Sequence, residues 1–334
     1  MQEHEGAKSL FEDKDFVGSS ISLVDIFCAR KRIRDISSHT PLVYSPQLSK
    51  HINAEVFLKL ENFQPIKVFK IRGAANKLSK LPVNSHVVTA SSGNHGFAVS
   101  YVSKLLNHRA TVCVPENANP DKINNIRMFE AEMVTVGTSY EDAYAEARRI
   151  ERETSAIFVH AYEDPDVIAG QGTIGLEILE DLPDVDDVIV PVGGGGLISG
   201  ISSAIKSIKM QTRIIGVQTS NAPTMAHAFR TGELCPPTIT KTIADGLVTR
   251  RASPITLKII KRNVDEMMIV EDEQIEKSIL LLINNDHVLV EPSGAVPVAA
   301  ILDNAKFFKG RKVVLVLSGG NISIQYLKDL LSRN

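Results

Sequence analysis

The sequence has no excess of charge of either sign: 37 lysines and arginines stand against 39 aspartates and glutamates, a formal net charge of -2. That balance offers no electrostatic footprint for nucleic acid or an anionic membrane, and small metabolites are the expected partners. No stretch approaches the roughly 20 apolar residues a membrane-spanning helix needs. The start of the chain, Met1 to Asp15, is polar and acidic, unlike a secretion signal. Cysteine is scarce: Cys28, Cys113 and Cys235 lie far apart, cannot all pair and match no zinc-ligand spacing. This argues against a disulfide framework, fits a reducing cytoplasm, and leaves the three thiols a structural role. Internal repeats and low-complexity tracts are missing as well.

What is present is alternating strand and helix pattern. Met1 to Ser19 has little periodicity and is expected to be a mobile arm, and Ser22 to Ile36 carries Leu23, Ile26, Phe27 and Ile33 at helical spacing. Strands are predicted at Val87 to Ala90, Ala110 to Val114 and Met133 to Val136, with helices at Gly96 to Leu106 and Asp121 to Phe129. Thr138 to Asp142 reads as a capping box opening a helix whose face carries Tyr140, Ala143, Tyr144 and Ala147. A second series holds strands at Val188 to Val192, Ile214 to Gln218, Val288 to Val290 and Val313 to Leu317, and an amphipathic helix near Asp272 to Asn284. Repeated βα units imply parallel sheets covered by helices, an α/β fold. At 334 residues two domains are expected, the smaller one, 84–162, inserted between 1–83 and 163–334 of the larger.

The stretch from Phe57 to Asn76 stands out. Val56, Leu58 and Leu60 mark one side of a strand, the pattern breaks at Gln64-Pro65, and Phe69-Lys70 precedes a helix opened by Ile71-Arg72-Gly73-Ala74. A lysine at such a junction, among apolar neighbours, can lose solvation and become an amine nucleophile. In isolation the segment favours a solvated loop lysine over a chemical one. Three further turns follow buried strands. Ser91-Ser92-Gly93-Asn94-His95-Gly96 and Gly193-Gly194-Gly195-Gly196-Leu197 both lead into helices, where backbone N–H groups suit an anion, a carboxylate at the first and a phosphate at the second. The glycine run lacks the Gly-x-Gly-x-x-Gly spacing of a dinucleotide site. Ser318-Gly319-Gly320-Asn321 follows the last strand.

Lys59-x-Glu61-x-x-Gln64, Phe69-Lys70-x-Arg72-Gly73-Ala74, the serine-glycine-asparagine turn, Asp164 to Thr173, the tetraglycine run, Ala244-Asp245-Gly246 and the Ser318 turn occur in the order found in fold-type II pyridoxal-phosphate enzymes. From about Thr40 to Asn321 the chain resembles that family, which contains threonine and serine ammonia-lyases and serine racemase. The resemblance implies a two-domain fold with a cofactor-binding larger domain. It implies pyridoxal phosphate held by Lys70, flanked by Phe69, contacted by Asn94 and Ser318, and gripped through its phosphate by Gly193, Gly194, Gly195, Gly196 and Leu197. Ser91, Ser92, Gly93, Asn94 and His95 are implied substrate contacts, with Ser92 the second acid/base across the ring from Lys70 and His95 mainly structural. A serine at 318 suits a neutral ring nitrogen, which favours elimination over transamination.

Two departures accompany the resemblance. Where the family often has Thr-Gly-Ser before Phe-Lys, this chain has Ile66-Lys67-Val68, and the family's usual Gly of a Gly-Ala-Glu-Val segment is Glu130. Gln218 and Thr224 replace the carboxylates through which eukaryotic serine racemases hold a divalent cation, so no metal is expected. Tyr162 stands where those racemases tend to have Asn. The resulting expectation is deamination of L-threonine and L-serine to 2-oxobutanoate and pyruvate by a cytoplasmic homo-oligomer, dimer or tetramer, without isoleucine inhibition. The alternatives are a racemase, a dehydratase of another β-hydroxy amino acid such as threo-3-hydroxyaspartate, a dinucleotide-dependent oxidoreductase, and a cofactor-free binding protein.

Overall fold

The computed structural model describes residues 21–118, 120–235 and 238–333; the expected N-terminal arm lies outside them. Two sheets organise the described residues. The larger contains β1 (Leu42–Tyr44), β2 (Glu55–Leu60), β7 (Asp187–Pro191), β8 (Arg213–Thr219), β9 (Glu266–Val270) and β10 (Lys312–Leu317) in the order β1-β2-β10-β7-β8-β9. The smaller contains β3 (His86–Ala90), β4 (Arg109–Val114), β5 (Glu132–Thr135) and β6 (Ile157–Phe158) in the order β5-β4-β3-β6. All pairings are parallel except the edge pair of β1 with β2.

Strand β10 shows why a near-continuous apolar run becomes a central parallel strand. Val313, Leu315 and Leu317 pack into one core, while Val314 and Val316 pack into another on the opposite face. Between β2 and β10 the register runs from Glu55 opposite Lys312 to Leu60 opposite Leu317, bringing their carboxyl ends level. Capping boxes at Ser22 with Asp25 and Ser139 with Asp142 start the helices Leu23–Ile33 and Tyr140–Thr154.

The predicted elements shift at their ends, and one is absent. Val288 to Val290 is not a strand. It is a connection whose Val288 N–H turns back to the Leu282 carbonyl and whose Leu289 carbonyl accepts from the Asn62 amide; Val288 and Val290 serve the core without a ladder, and Leu289 is exposed. The predicted helix to Asn284 is α-helical over Asp272–Leu281 and widens to a π turn over Leu282–Asp286. The first helix ends at Ile33, and Phe27 on it is exposed. Cys28 and Cys235 are exposed and Cys113 is buried, all three unpaired. No described helix is long and apolar enough to cross a membrane.

Candidate active site

Lys70 is the first residue of the helix Lys70–Leu78, and two sets of contacts fix where that helix begins. On its entry side, Val68 forms an antiparallel bridge with Gly319; the Phe69 N–H donates to the Ser318 carbonyl at 3.0 Å, and the Gly320 N–H to the Lys67 carbonyl at 2.8 Å. On its packed side the helix meets Pro165–Asp181 at backbone distance. A Cβ on Gly73 would lie 2.4 Å from the Gln171 amide nitrogen, and one on Gly170 would lie 2.5 Å from the Arg72 carbonyl.

Arg72 anchors the same helix from within. Its guanidinium donates to both oxygens of Glu61 at 2.8 Å, to Glu177 at 2.5 and 2.8 Å, and to Thr173 Oγ1 at 3.0 Å. Lys59 Nζ reaches Glu177 at 2.8 Å and the Thr40 carbonyl at 2.7 Å. Gln64 braces Glu61 from the side, its Nε2 at 3.3 Å. Two buried cations thus balance two buried carboxylates with their hydrogen bonds satisfied, the condition under which buried ions persist. The Lys-x-Glu-x-x-Gln motif is the wall of this network.

Lys70 Nζ donates to the Ala161 carbonyl at 2.9 Å and lies 5.2 Å from the centre of the Phe69 ring. Burial of the amine lowers its pKa to about 8, against the opposing pull of Glu291. The Asn94 amide nitrogen donates to the Glu291 carboxylate at 2.8 and 3.0 Å, while Asn94 Oδ1 accepts from Asn321 at 2.8 Å. Asn321 also donates to the Ile66 carbonyl at 3.2 Å. Asn94 opens the helix Asn94–Leu105, two residues earlier than the sequence pattern predicts, so Asn94 and His95 belong to its first turn. His95 Nε2–H donates to the Val159 carbonyl at 3.0 Å, leaving Nδ1 buried and without a partner. Burial, with the nearby Lys70 charge, lowers the His95 pKa to about 3, so its ring is neutral.

The tetraglycine turn follows β7 and starts the helix Gly196–Ile208, whose first-turn N–H groups have no intrahelical acceptors. Gly195 has φ +88°, and the Thr256 hydroxyl holds the Gly194 carbonyl at 2.8 Å. A Cβ on Gly194 would fall 2.4 Å from the Tyr162 ring, so the loop is also kept bare by Tyr162. Ala161 and Tyr162 therefore join the Lys70 amine to the glycine turn. Contacts link Lys70 through Ala161 and Tyr162 to the glycine turn, Phe69 to the Ser318 turn, and Asn94 to that same turn through Asn321. Ser91 Oγ accepts from the Gly93 N–H at 3.2 Å within its turn, and Ser92 is half-buried beside it.

Sequence reasoning missed Glu291 and His160. Glu291 precedes Pro292 at the head of the helix Pro292–Asp303, and an acid among Val288, Val290 and Ala295 was the available signal. His160 accepts the Tyr162 and Glu163 N–H groups at Nδ1, at 3.2 and 2.9 Å, and burial brings its pKa to about 3. Gln218 is spent internally, donating to the Val192 carbonyl and accepting from the Ala226 N–H.

An enclosed lysine of low proton affinity beside a bare glycine turn at a helix N-terminus is a fitting cradle for an aldehyde bearing a phosphate. The sequence profile of the pyridoxal-phosphate-dependent enzymes matches residues 33–319. The chain belongs to that family. The pyridoxal-phosphate-dependent fold is shared with maize serine racemase, at TM-score 0.89 and 32% identity over 94% of this chain and 98% of that one. It is shared too with threonine deaminase isoform 2 from Solanum lycopersicum, at TM-score 0.87 and 30% identity, covering 94% of each. Among curated relatives, the L-threonine ammonia-lyase of Thermotoga maritima is 43% identical over 94% of this chain and 79% of its own length. The catabolic L-threonine dehydratase of Escherichia coli K12 is 40% identical over 93% and 96%.

Proposed function

We propose that this pyridoxal-phosphate-dependent enzyme is a threonine and serine ammonia-lyase, releasing 2-oxobutanoate or pyruvate and ammonia. The observation that carries the reading is the Lys70 amine, enclosed at a strand-to-helix junction with a pKa near 8, so that a useful fraction is neutral at working pH. Relatives at 43% and 40% identity that are named threonine ammonia-lyase and threonine dehydratase support the substrate.

Pyridoxal phosphate, when bound, supplies an electron sink for the charge left on the substrate α-carbon. Lys70 would hold the cofactor and, once freed, remove the α-proton; Phe69 would flank the ring. Gly193 to Leu197 would offer N–H groups to the phosphate, Asn94 would bind the ring, and the Ser318 hydroxyl would suit a neutral ring nitrogen. Ser91, Ser92, Gly93, Asn94 and the His95 turn receive the substrate carboxylate, with Ser92 as the second acid/base. The cofactor domain is assigned to 1–83 and 163–334 and the smaller domain to 84–162, a division supported by β3 to β6 forming a sheet of their own. Unpaired cysteines support a reducing cytoplasm, and a dimer or tetramer is to be checked by light scattering.

The test is 2-oxo acid release from purified protein with added pyridoxal phosphate and L-threonine or L-serine. Lys70→Ala should lose covalent cofactor attachment and reduce turnover by at least about a thousandfold. Retention of turnover in that variant overturns the assignment. The likeness to maize serine racemase supports a second reading, which D-serine formation from L-serine, followed by chiral chromatography, would establish.

A further inference from the structure

Glu291 sits where four segments of the chain converge. Its backbone N–H donates to the Gly319 carbonyl at 3.0 Å, and a Cβ on Gly319 would come within 2.4 Å of its Oε1. The side chain therefore lies against Gly319, in space that a Cβ there would fill. There both carboxylate oxygens accept from the Asn94 amide, which Asn321 holds from its other end. An amide whose oxygen is taken by one partner and whose nitrogen is taken by another cannot flip. The same carboxylate acts on the Lys70 amine as its opposing charge.

We propose that Glu291 is a further positioning residue of this site, its carboxyl group both orienting the Asn94 amide and governing when the Lys70 amine becomes a free nucleophile. The inference rests on the reading of Lys70 as the amine that holds the cofactor. Four groups face Glu291: Asn94 by hydrogen bond, Lys70 and Lys122 as cations, and Asp245 as an anion, with Lys122 and Asp245 themselves an ion pair at the rim. Burial raises the Glu291 pKa to about 7 despite the Asn94 hydrogen bond. Its ionisation therefore falls in a pH range next to that of Lys70. While Glu291 is charged it favours the ammonium form of Lys70; once it is neutral or replaced, the free amine is favoured.

The experiment uses the full chain freed of cofactor. Lys70 is labelled with an amine-reactive reagent across a pH series, and the extent of labelling is read by mass spectrometry of the Lys70 peptide. Glu291→Gln keeps an oxygen for Asn94 and removes the charge. Its half-labelling pH should fall by about one unit, making Lys70 about fivefold more reactive at pH 7. Glu291→Asp keeps the charge and should stay near the parent. An unchanged midpoint in the Gln variant, or equal shifts in both variants, overturns the proposal.

Should the Gln variant fail to fold, reciprocity supplies the second measurement. In Lys70→Met the Glu291 carboxyl, followed by carbon NMR, should hold its proton to higher pH than in the parent. An unmoved Glu291 midpoint also overturns the proposal. Because both readouts need no cofactor, they stand or fall separately from the cofactor reading. That reading fails on its own if the parent chain with pyridoxal phosphate yields no lysine-bound chromophore.

Discussion

At Lys67 and Glu130 the backbone has φ +61° and +60°, the left-handed region in which a side chain crowds the following carbonyl. Both are positions where the resemblance calls for glycine, and here the strain is borne by a lysine and a glutamate. Lys67→Gly and Glu130→Gly should each raise stability by up to about 1 kcal/mol in urea unfolding. The opposite error is Gly194→Ala, whose new methyl meets the Tyr162 ring. It should cost about 1 to 3 kcal/mol and weaken phosphate binding, with part of the stability recovered in combination with Tyr162→Ala. The Val68 departure has a plain outcome: the side chain is 1% exposed and joins the Ile66 and Ile71 core beside Gly319.

The helix that starts at Lys70 is held by charges that never reach the chemistry. Arg72→Ala would leave Glu61 and Glu177 buried with too little positive charge, and destabilisation of about 3 to 5 kcal/mol is expected. Lys70 would lose its fixed origin with it, so cofactor affinity measured by chromophore titration should fall too. The motif letters of this network were visible in the chain, but their purpose was not. Lys59, Glu61, Arg72 and Glu177 come from separate elements, and an ion pair between them has no local periodicity. Elements with strong local pattern were legible: β4, β7, β8 and β10 lie within a residue or two of their predicted positions. The three-residue β1, the two-residue β6 and the strand β9 were not marked, and Val288 to Val290 looked like a strand because burial and pairing draw on the same residues. Lys70 and the glycine turns were readable because strand-to-helix junctions concentrate special chemistry. Glu291 was not, since its role depends on Asn94 and Gly319, 197 and 28 residues away.

For the whole molecule, acid is the stress that the buried histidines make severe. His95 and His160 have folded pKa values near 3 against an ordinary 6.5. Their contribution to stability is complete above pH 6.5 and is lost as pH falls from there toward 3. Glu291 acts in the other sense: its pKa is raised from 4.5 to about 7, so stability declines as pH rises across that window. The two effects oppose each other between pH 4.5 and 6.5; below 4.5 the histidine loss continues and is joined by that of carboxylates whose folded pKa is lowered, Glu177 among them. Urea midpoints should therefore drop most steeply below about pH 4.5, and His160→Asn should flatten that drop.

Strand β10 comes last of the described strands in chain order yet lies between β2 and β7 at the middle of the larger sheet. Until it inserts, β2 has no parallel neighbour, and the Ser318 turn that straps Phe69 in place is not formed. Refolding must bring together segments some 250 residues apart before Lys70 has its surroundings, a slow kind of closure. Absorbance of the lysine-bound cofactor should accordingly appear in the slowest refolding phase. Colour thus becomes a native gauge of maturation, marking molecules whose assembly has finished and passing over those that have merely collapsed.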